Sequence, residues 1–347
     1  MQRWIKIGFV LVAGLALAAA LGWFFVIQPV FLSGNTAFTQ DEQRFNIPEG
    51  TVFDTLLLRL EKEGIIRDIS SFRQCARFLE YGQRIRPGSY LIRQGESNLT
   101  IVRMLRAGNQ TPVKLIIHNL RTLEDLAGRI STQIECDSLR ALEAFRRSRA
   151  ILPDISPGED SLLCLFIPNT YEVYWNISPE QLMERMADEY DRFWTSDRTS
   201  MATSASLTPN HIYILESIVE KETLVQDEKS TIAGVYMNRL RQGIPLQADP
   251  TVVFARQDFS ARRVLFSDLE IDSPYNTYKY AGLPPGPICM PQQSTLLATL
   301  NAEQHQYIYF CAKADGSGRH AFAKTLAAHN RNARDYQQWL NARQIYN

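Results

Sequence analysis

The chain has 347 residues, 37 Lys+Arg against 37 Asp+Glu, with 45% hydrophobic and 21% charged residues. That length and apolar share suit a folded protein of about two or three domains. A formal net charge of zero with no basic stripe excludes a nucleic-acid binder, which carries a basic excess.

No residue from Ile7 to Gln40 is charged. The opening part, "IGFVLVAGLALAAALGWFFVI", reaches the roughly 20 apolar residues that a bilayer core requires. Arg3 and Lys6 precede it and Asp41 is the first acidic residue, so the positive-inside rule places residues 1–6 in the cytoplasm. Trp23, Phe24 and Phe25 fall where an outer interfacial belt lies. A cleaved signal has a shorter apolar region, about 7–15 residues, ending in small residues, whereas this run ends in Trp-Phe-Phe-Val-Ile. The expectation is a single-pass anchor at 7–28, a polar linker at 29–44, and an extracytoplasmic body. The cysteines, Cys75, Cys136, Cys164, Cys289 and Cys311, are scattered without a CxxC pair. That spacing argues against zinc or a redox centre. Disulfides are chemically allowed in that compartment, but buried free thiols are the preferred reading.

"FNIPEGTVFDTLLLRLEKEGII" predicts a short strand, a turn at Pro48–Gly50, and a helix with apolar residues at 53, 56, 57 and 60 that Gly64 ends. "SSFRQCARFLEYG" is a second capped helix, "IRPGSYLI" a turn and strand, and "SNLTIVRMLRAG" a third helix closed by Gly108. "LIIHNLRTLEDLAGRI" echoes the first stretch: both read strand, turn, then a helix begun by Thr51 or Thr122. Two copies of a small module sharing one sheet would explain the echo; so would chance in any α+β chain. From about 133 to 204 the pattern is mostly helical, broken by "SPGED" and "SDRTSMATSAS". The remainder predicts two helices, loops rich in Pro, Gly, Asn and Tyr, and a final strand and helix.

"SIVEKET" places two glutamates in an apolar helix. At about 100° per residue, Ile212, Ile218 and Val219 fall within roughly 60° of Leu215. Glu222 lies about 20° from Leu215, inside that stripe, and Glu220 about 140° away. Glu220 is therefore expected to be solvated, beside Glu216 on a polar side, and Glu222 to face the interior or a cleft. Burial raises a carboxyl pKa, the property a general acid needs near neutral pH. A structural ion pair with Arg239 is the competing explanation for Glu222. "PLQADPTVVFA" places Gln247 and Asp249 in a turn before a β-like run. "SPYNTYKYAGLPPGPICMP" supplies Tyr275, Asn276, Thr277 and Tyr278 in a proline-stiffened loop. Amides, hydroxyls and aromatic rings suit a sugar groove. "GRHAFAKTLAAHN" adds His320 and His329. No catalytic-triad order, HExxH, P-loop or GxGxxG pattern is present.

"ESIVEKET", "NRLRQGIPLQADPTVVF", "DSPYNTYKYAGLPPGPI" and "GRHAFAKTLAAHN" together resemble the successive signatures of the MltG, or YceG-like, family of endolytic murein transglycosylases. The resemblance covers nearly the whole chain and implies an α+β fold. After the anchor and linker come a LysM-like module at 45–110, matched by "IPEG", "EGII" and "RPGSYLI", and a catalytic domain at 111–347. It implies that Glu222, the glutamate of the "KET" triplet, is the catalytic acid and base. Gln247, Asp249, Tyr275, Asn276, Thr277, Tyr278, His320 and His329 would bind substrate.

The implied substrate is the glycan strand of peptidoglycan, cut to leave 1,6-anhydro-muramic ends without metal or organic cofactor. The implied location is the inner membrane, with cell-wall synthases as further candidate partners. The sequence departs from the family pattern at Leu163, Cys164 and Asn169 in "LCLFIPNTY", and at His118-Asn119-Leu120, where the second module usually opens with Pro-Glu-Gly. A lysozyme-like hydrolase using Asp249 as a second carboxylate and a non-catalytic glycan-binding scaffold are the alternatives.

Overall fold

The structure, a computed structural model, describes residues 2–147, 159–259 and 264–343. It is a mixed α+β fold with one N-terminal apolar helix. The chain divides into two compact units, one of Met1–Lys114, Gln133–Glu135 and Glu172–Ile177, the other of Leu115–Thr132, Cys136–Tyr171 and Ser178–Asn347.

In the first unit, α1 (Gln2–Gly22) continues as a wider π-helical stretch, Trp23–Leu32, interrupted by Pro29, which has no N–H to give. Leu11–Leu32 is long and apolar enough to cross a membrane. β1 (Glu42–Ile47) and β2 (Gly88–Arg93) pair antiparallel with Phe45 opposite Tyr90. Against them pack α2 (Phe53–Lys62), α3 (Ile69–Phe78) and α4 (Asn98–Ala107), whose Leu56, Leu57, Leu60, Phe72, Ile101 and Leu105 fill the core.

Local chemistry accounts for these ends. Asp68 caps α3 through the Ser70 and Ser71 amides, Ser97 caps α4, and Gly108 closes α4 at φ 73°, a left-handed conformation cheap only for glycine.

The stretch expected to be a linker is fastened along its length. Asn35 donates its amide to Asp68 O and Asn98 Oδ1, both at 2.8 Å, and Asn98 donates to Val30 O at 2.9 Å. Gly34 passes so close to Gly95 that an added Cβ would lie 2.6 Å from its carbonyl oxygen. The five cysteines are free thiols, with Cys75, Cys164 and Cys289 buried.

β3 (Val113–Ile117) pairs with β4 (Asn169–Val173). The two strand–helix echoes therefore do not share a sheet, because β1 takes β2 as its partner and β3 takes β4. Thr122 caps α5 (Leu123–Ser131) in a reciprocal capping box with Asp125. Thr51 does not cap α2, since its hydroxyl instead donates to Pro48 O at 2.7 Å.

The second unit continues with α6 (Ser138–Arg147), α7 (Pro179–Phe193), α8 (Ser196–Ser204), α9 (Pro209–Glu222) and α10 (Lys229–Arg241). It ends with α11 (Asp249–Arg256), α12 (Gln293–Leu300), the β5–β6 hairpin (Tyr309–Ala312 with His320–Ala323) and α13 (Leu326–Ala342). Three local expectations are corrected. "SDRTSMATS" is α8, capped by Thr195 and held by buried Ala202, so tertiary packing overrides its polar composition. "DPTVVFAR" is α11, with Pro250 in the first turn, where the missing N–H costs nothing. The C-terminal part contains a two-stranded hairpin instead of a lone strand. "SPGED" falls mostly outside the described residues.

Candidate active site

α9 begins at the Thr208 cap, with Pro209 in its first turn, and packs against α8, α10, α11 and α12. Every residue from Ile212 to Val219 is buried. Over Ile212–Val219 the expected polar side therefore does not exist. Glu216 is 0% exposed and accepts the Thr299 amide at 2.9 Å. Burial pushes its pKa well up, the desolvation penalty on a charged form. Glu220, expected to be solvated, accepts from the buried Lys229 Nζ at 2.9 Å and from the Thr295 hydroxyl at 2.5 Å.

Glu222 is different because the helix ends on it. Thr223 is already extended, and the Glu222 side chain lines an open cavity of about 520 Å³ with Arg121, Lys221, Asp249, Phe254, Phe259 and Ile288. Glu222 Oε1 accepts a 2.6 Å hydrogen bond from the Tyr236 hydroxyl of α10. Burial pushes the Glu222 pKa up to about 7; the Tyr236 bond opposes the rise, the Asp249 charge adds to it, and the Arg239 charge opposes it. Arg239 is not its ion-pair partner. Its guanidinium donates to the backbone oxygens of Ile308 and Leu246, both at 2.7 Å, and of Pro245 at 3.2 Å. At a pKa of about 7 the carboxyl exchanges its proton near neutral pH, with both forms populated, in a space open to a ligand.

Most of the expected wall residues assemble beside α11. Asp249 lines the cavity, and its Oδ1 accepts from the Tyr278 hydroxyl at 2.6 Å. Burial, then this bond, pushes the Tyr278 phenol up. Asn276 is fully buried. It accepts the Tyr278 amide at 3.0 Å and donates to Leu269 O and Ile271 O. The Thr277 hydroxyl accepts the Ala248 amide and meets Thr251 Oγ1 at 2.9 Å. Gln247, at φ 50°, donates its backbone N–H to Thr277 O, and its side-chain oxygen accepts from Arg239 at 3.4 Å. Tyr275 lies 4.6 Å from the Phe254 ring. Asn276 and Thr277 thus brace the wall from behind.

His320 and His329 do not line this cavity. His320 Nδ1 is 3.0 Å from Glu228 Oε2, and His329 stacks on Tyr309 at 5.2 Å. Among the departures from the family pattern, Leu163 and Cys164 are core residues. His118, Asn119 and Asn169 line a second cavity of about 660 Å³ that also includes Lys221.

Tyr236, Arg121 and Lys229 were not anticipated, because each reaches the α9 region through tertiary contact and carries no local motif. Among the described residues, no three His, Cys, Asp or Glu side chains gather as a metal site requires.

The family profile described as "YceG-like family" matches residues 45–335. A Bacillus subtilis protein named "Endolytic murein transglycosylase" is 26% identical over 332 residues, an alignment covering 90% of this chain and 91% of that protein. A Streptococcus pneumoniae protein of the same name is 29% identical over 320 residues, covering 84% of this chain. The chain spans 57% of the length of that pneumococcal relative. A crystal structure of a yceG-like protein from Listeria monocytogenes superposes with a TM-score of 0.55 at 28% identity, covering 84% of this chain and 99% of the other. With the profile spanning most of its length, the chain belongs to the YceG-like family.

Proposed function

We propose that this protein is a membrane-anchored endolytic peptidoglycan transglycosylase, with Glu222 as its acid and base. The observation that carries the reading is the Glu222 carboxyl, raised to about 7 in an open cleft, where a general acid works best near neutral pH. Glu222 gives its proton to the glycosidic oxygen as the bond from muramic C1 breaks. The resulting carboxylate takes the proton of the C6 hydroxyl on the same sugar. That oxygen bonds to C1, leaving a 1,6-anhydro end and regenerating the acid.

Tyr236 fixes the carboxyl through Oε1. Asp249, oriented by Tyr278, offers negative charge to an oxocarbenium-like transition state. Gln247, Tyr275, Asn276 and Thr277 hold the α11 wall against which the sugar sits.

The Leu11–Leu32 span would anchor the chain in the inner membrane with its N-terminus inside, placing the cleft on the peptidoglycan side, in reach of cell-wall synthases. Protease added to spheroplasts would then digest the body, and protection of the second unit would overturn that orientation. The module at 45–110, read as LysM-like, would position glycan, so its deletion would impair cleavage of long strands more than short ones.

Mass spectrometry of products from purified glycan strands tests the function. The reading predicts internal cleavage with 1,6-anhydro ends, lost in Glu222→Gln. Asp249 shares the cleft with Glu222, which gives the hydrolase alternative its footing, and reducing ends would establish that alternative. Binding without turnover would leave a scaffold.

A further inference from the structure

Two cations stand on the Glu222 cavity, and among the described residues neither is ion-paired. Arg121 precedes the α5 cap, and its guanidinium carbon lies 4.0 Å from the Phe259 ring centroid. Stacking uses a face of the planar guanidinium and leaves its N–H edge for an oxyanion. Lys221 is exposed in the last turn of α9 and lines both the Glu222 cavity and the 660 Å³ cavity beside it.

Among the described residues, none of the acidic groups around them is ion-paired to either cation. Asp125 accepts the Arg121 and Thr122 backbone amides, Glu220 holds Lys229, and Asp249 accepts from Tyr278. Of the cleft's own acids, Glu222 is bound to Tyr236. A groove for a neutral sugar chain requires ring faces and hydroxyl partners but no cations. Two cations without carboxylate partners therefore call for an anion on the ligand.

We propose that Arg121 and Lys221 form an anion subsite of the cleft that takes a carboxylate borne by the muramic side chain. The inference rests on reading the cleft as a glycan-strand site. Two sources offer that chemistry: the lactyl carboxylate of a strand stripped of peptide, and the carboxylates of an intact stem peptide.

The test measures binding of full-length Glu222→Gln protein in detergent to stem-bearing strands, to amidase-stripped strands, and to stripped strands whose lactyl groups are neutral methylamides. Stripped strands are expected to bind about tenfold more tightly than their methylamides, the scale of one charge-assisted hydrogen bond. Adding Arg121→Gln or Lys221→Gln should abolish that preference. A variant effect confined to stem-bearing strands would assign the subsite to the peptide carboxylates instead.

Equal binding of acid and methylamide by the parent protein, together with equal loss on every substrate in the variants, would overturn the inference. Because Lys221 is exposed, Lys221→Gln reports on binding even where Arg121→Gln disturbs packing. Product analysis with Glu222 intact separates the two readings. If no anhydro ends form, the transglycosylase reading fails; if they form without any carboxylate preference, only this inference fails.

Discussion

α4 and α9 show two ways for a helix to be buried. α4 buries Asn98, Ile101, Val102 and Leu105 and leaves Arg103 and Arg106 in solvent, so a single apolar stripe separates inside from outside. α9 buries each residue from Ile212 to Val219, and its polar side chains go inside with the rest. Glu216, Ser217 and Glu220 each find a partner distant in sequence: the Thr299 amide, the Ile288 amide, and Lys229 with Thr295. On a central helix, charge does not imply solvation. Glu222 stands out because packing gives way to a cavity at the helix end and Tyr236 is its hydrogen-bond partner there.

The sharpest way to break this comparison is Glu220→Ala. If Glu220 neutralises the buried Lys229, removing it strands an ammonium that is only 4% exposed and costs about 3–5 kcal/mol, visible as a large drop in the melting temperature of the second unit. A solvated Glu220 would give almost no change. Leu105→Ala in the α4 stripe should cost about 2–5 kcal/mol by deleting fully buried methyl groups, read from thermal unfolding of the first unit.

Tyr236→Phe removes the donor to Glu222 Oε1 while keeping the ring. Turnover should fall about tenfold. The alkaline limb of the pH–rate profile should move to higher pH, because the lost bond favoured the carboxylate. An unchanged profile would remove Tyr236 from the site. Arg106→Ala on the exposed side of α4 should stay within about 0.5 kcal/mol. A larger loss would mean that the stripe does not describe that helix.

What was legible follows the same division. The helices of the first unit could be read because burial is one-sided and their caps are local: Ser97 and Gly108 announce the ends of α4 in the sequence itself. Angular projection on α9 put Glu222 on an inward side, in agreement with its place on the cavity. It misplaced Glu216 and Glu220, because the projection assumes one buried face. α11 was misread since Thr251, Val252 and Val253 favour strands locally, while Pro250 and packing of Val252 and Phe254 settle the helix. Arg239 was a reasonable partner for Glu222 by sequence; its actual acceptors, at Leu246 and Ile308, are backbone oxygens that no side-chain pattern reveals. Tyr236 and Arg121 reach the cleft only through the fold.

Glu222→Gln, followed for turnover and for thermal stability across pH, tests the central claim most directly. The folded pKa of about 7 stands above the ordinary 4.5, so the native state keeps a proton that the unfolded chain releases. Wild-type stability therefore declines as pH rises from about 4.5 to about 7 and stays lower above that. The account predicts turnover lower by at least about 10²–10⁴-fold in a variant that melts higher than wild type at pH 8, by an amount that shrinks towards pH 5. A Glu222→Gln protein that still cleaves strands, or one that melts lower than wild type at every pH, would contradict it.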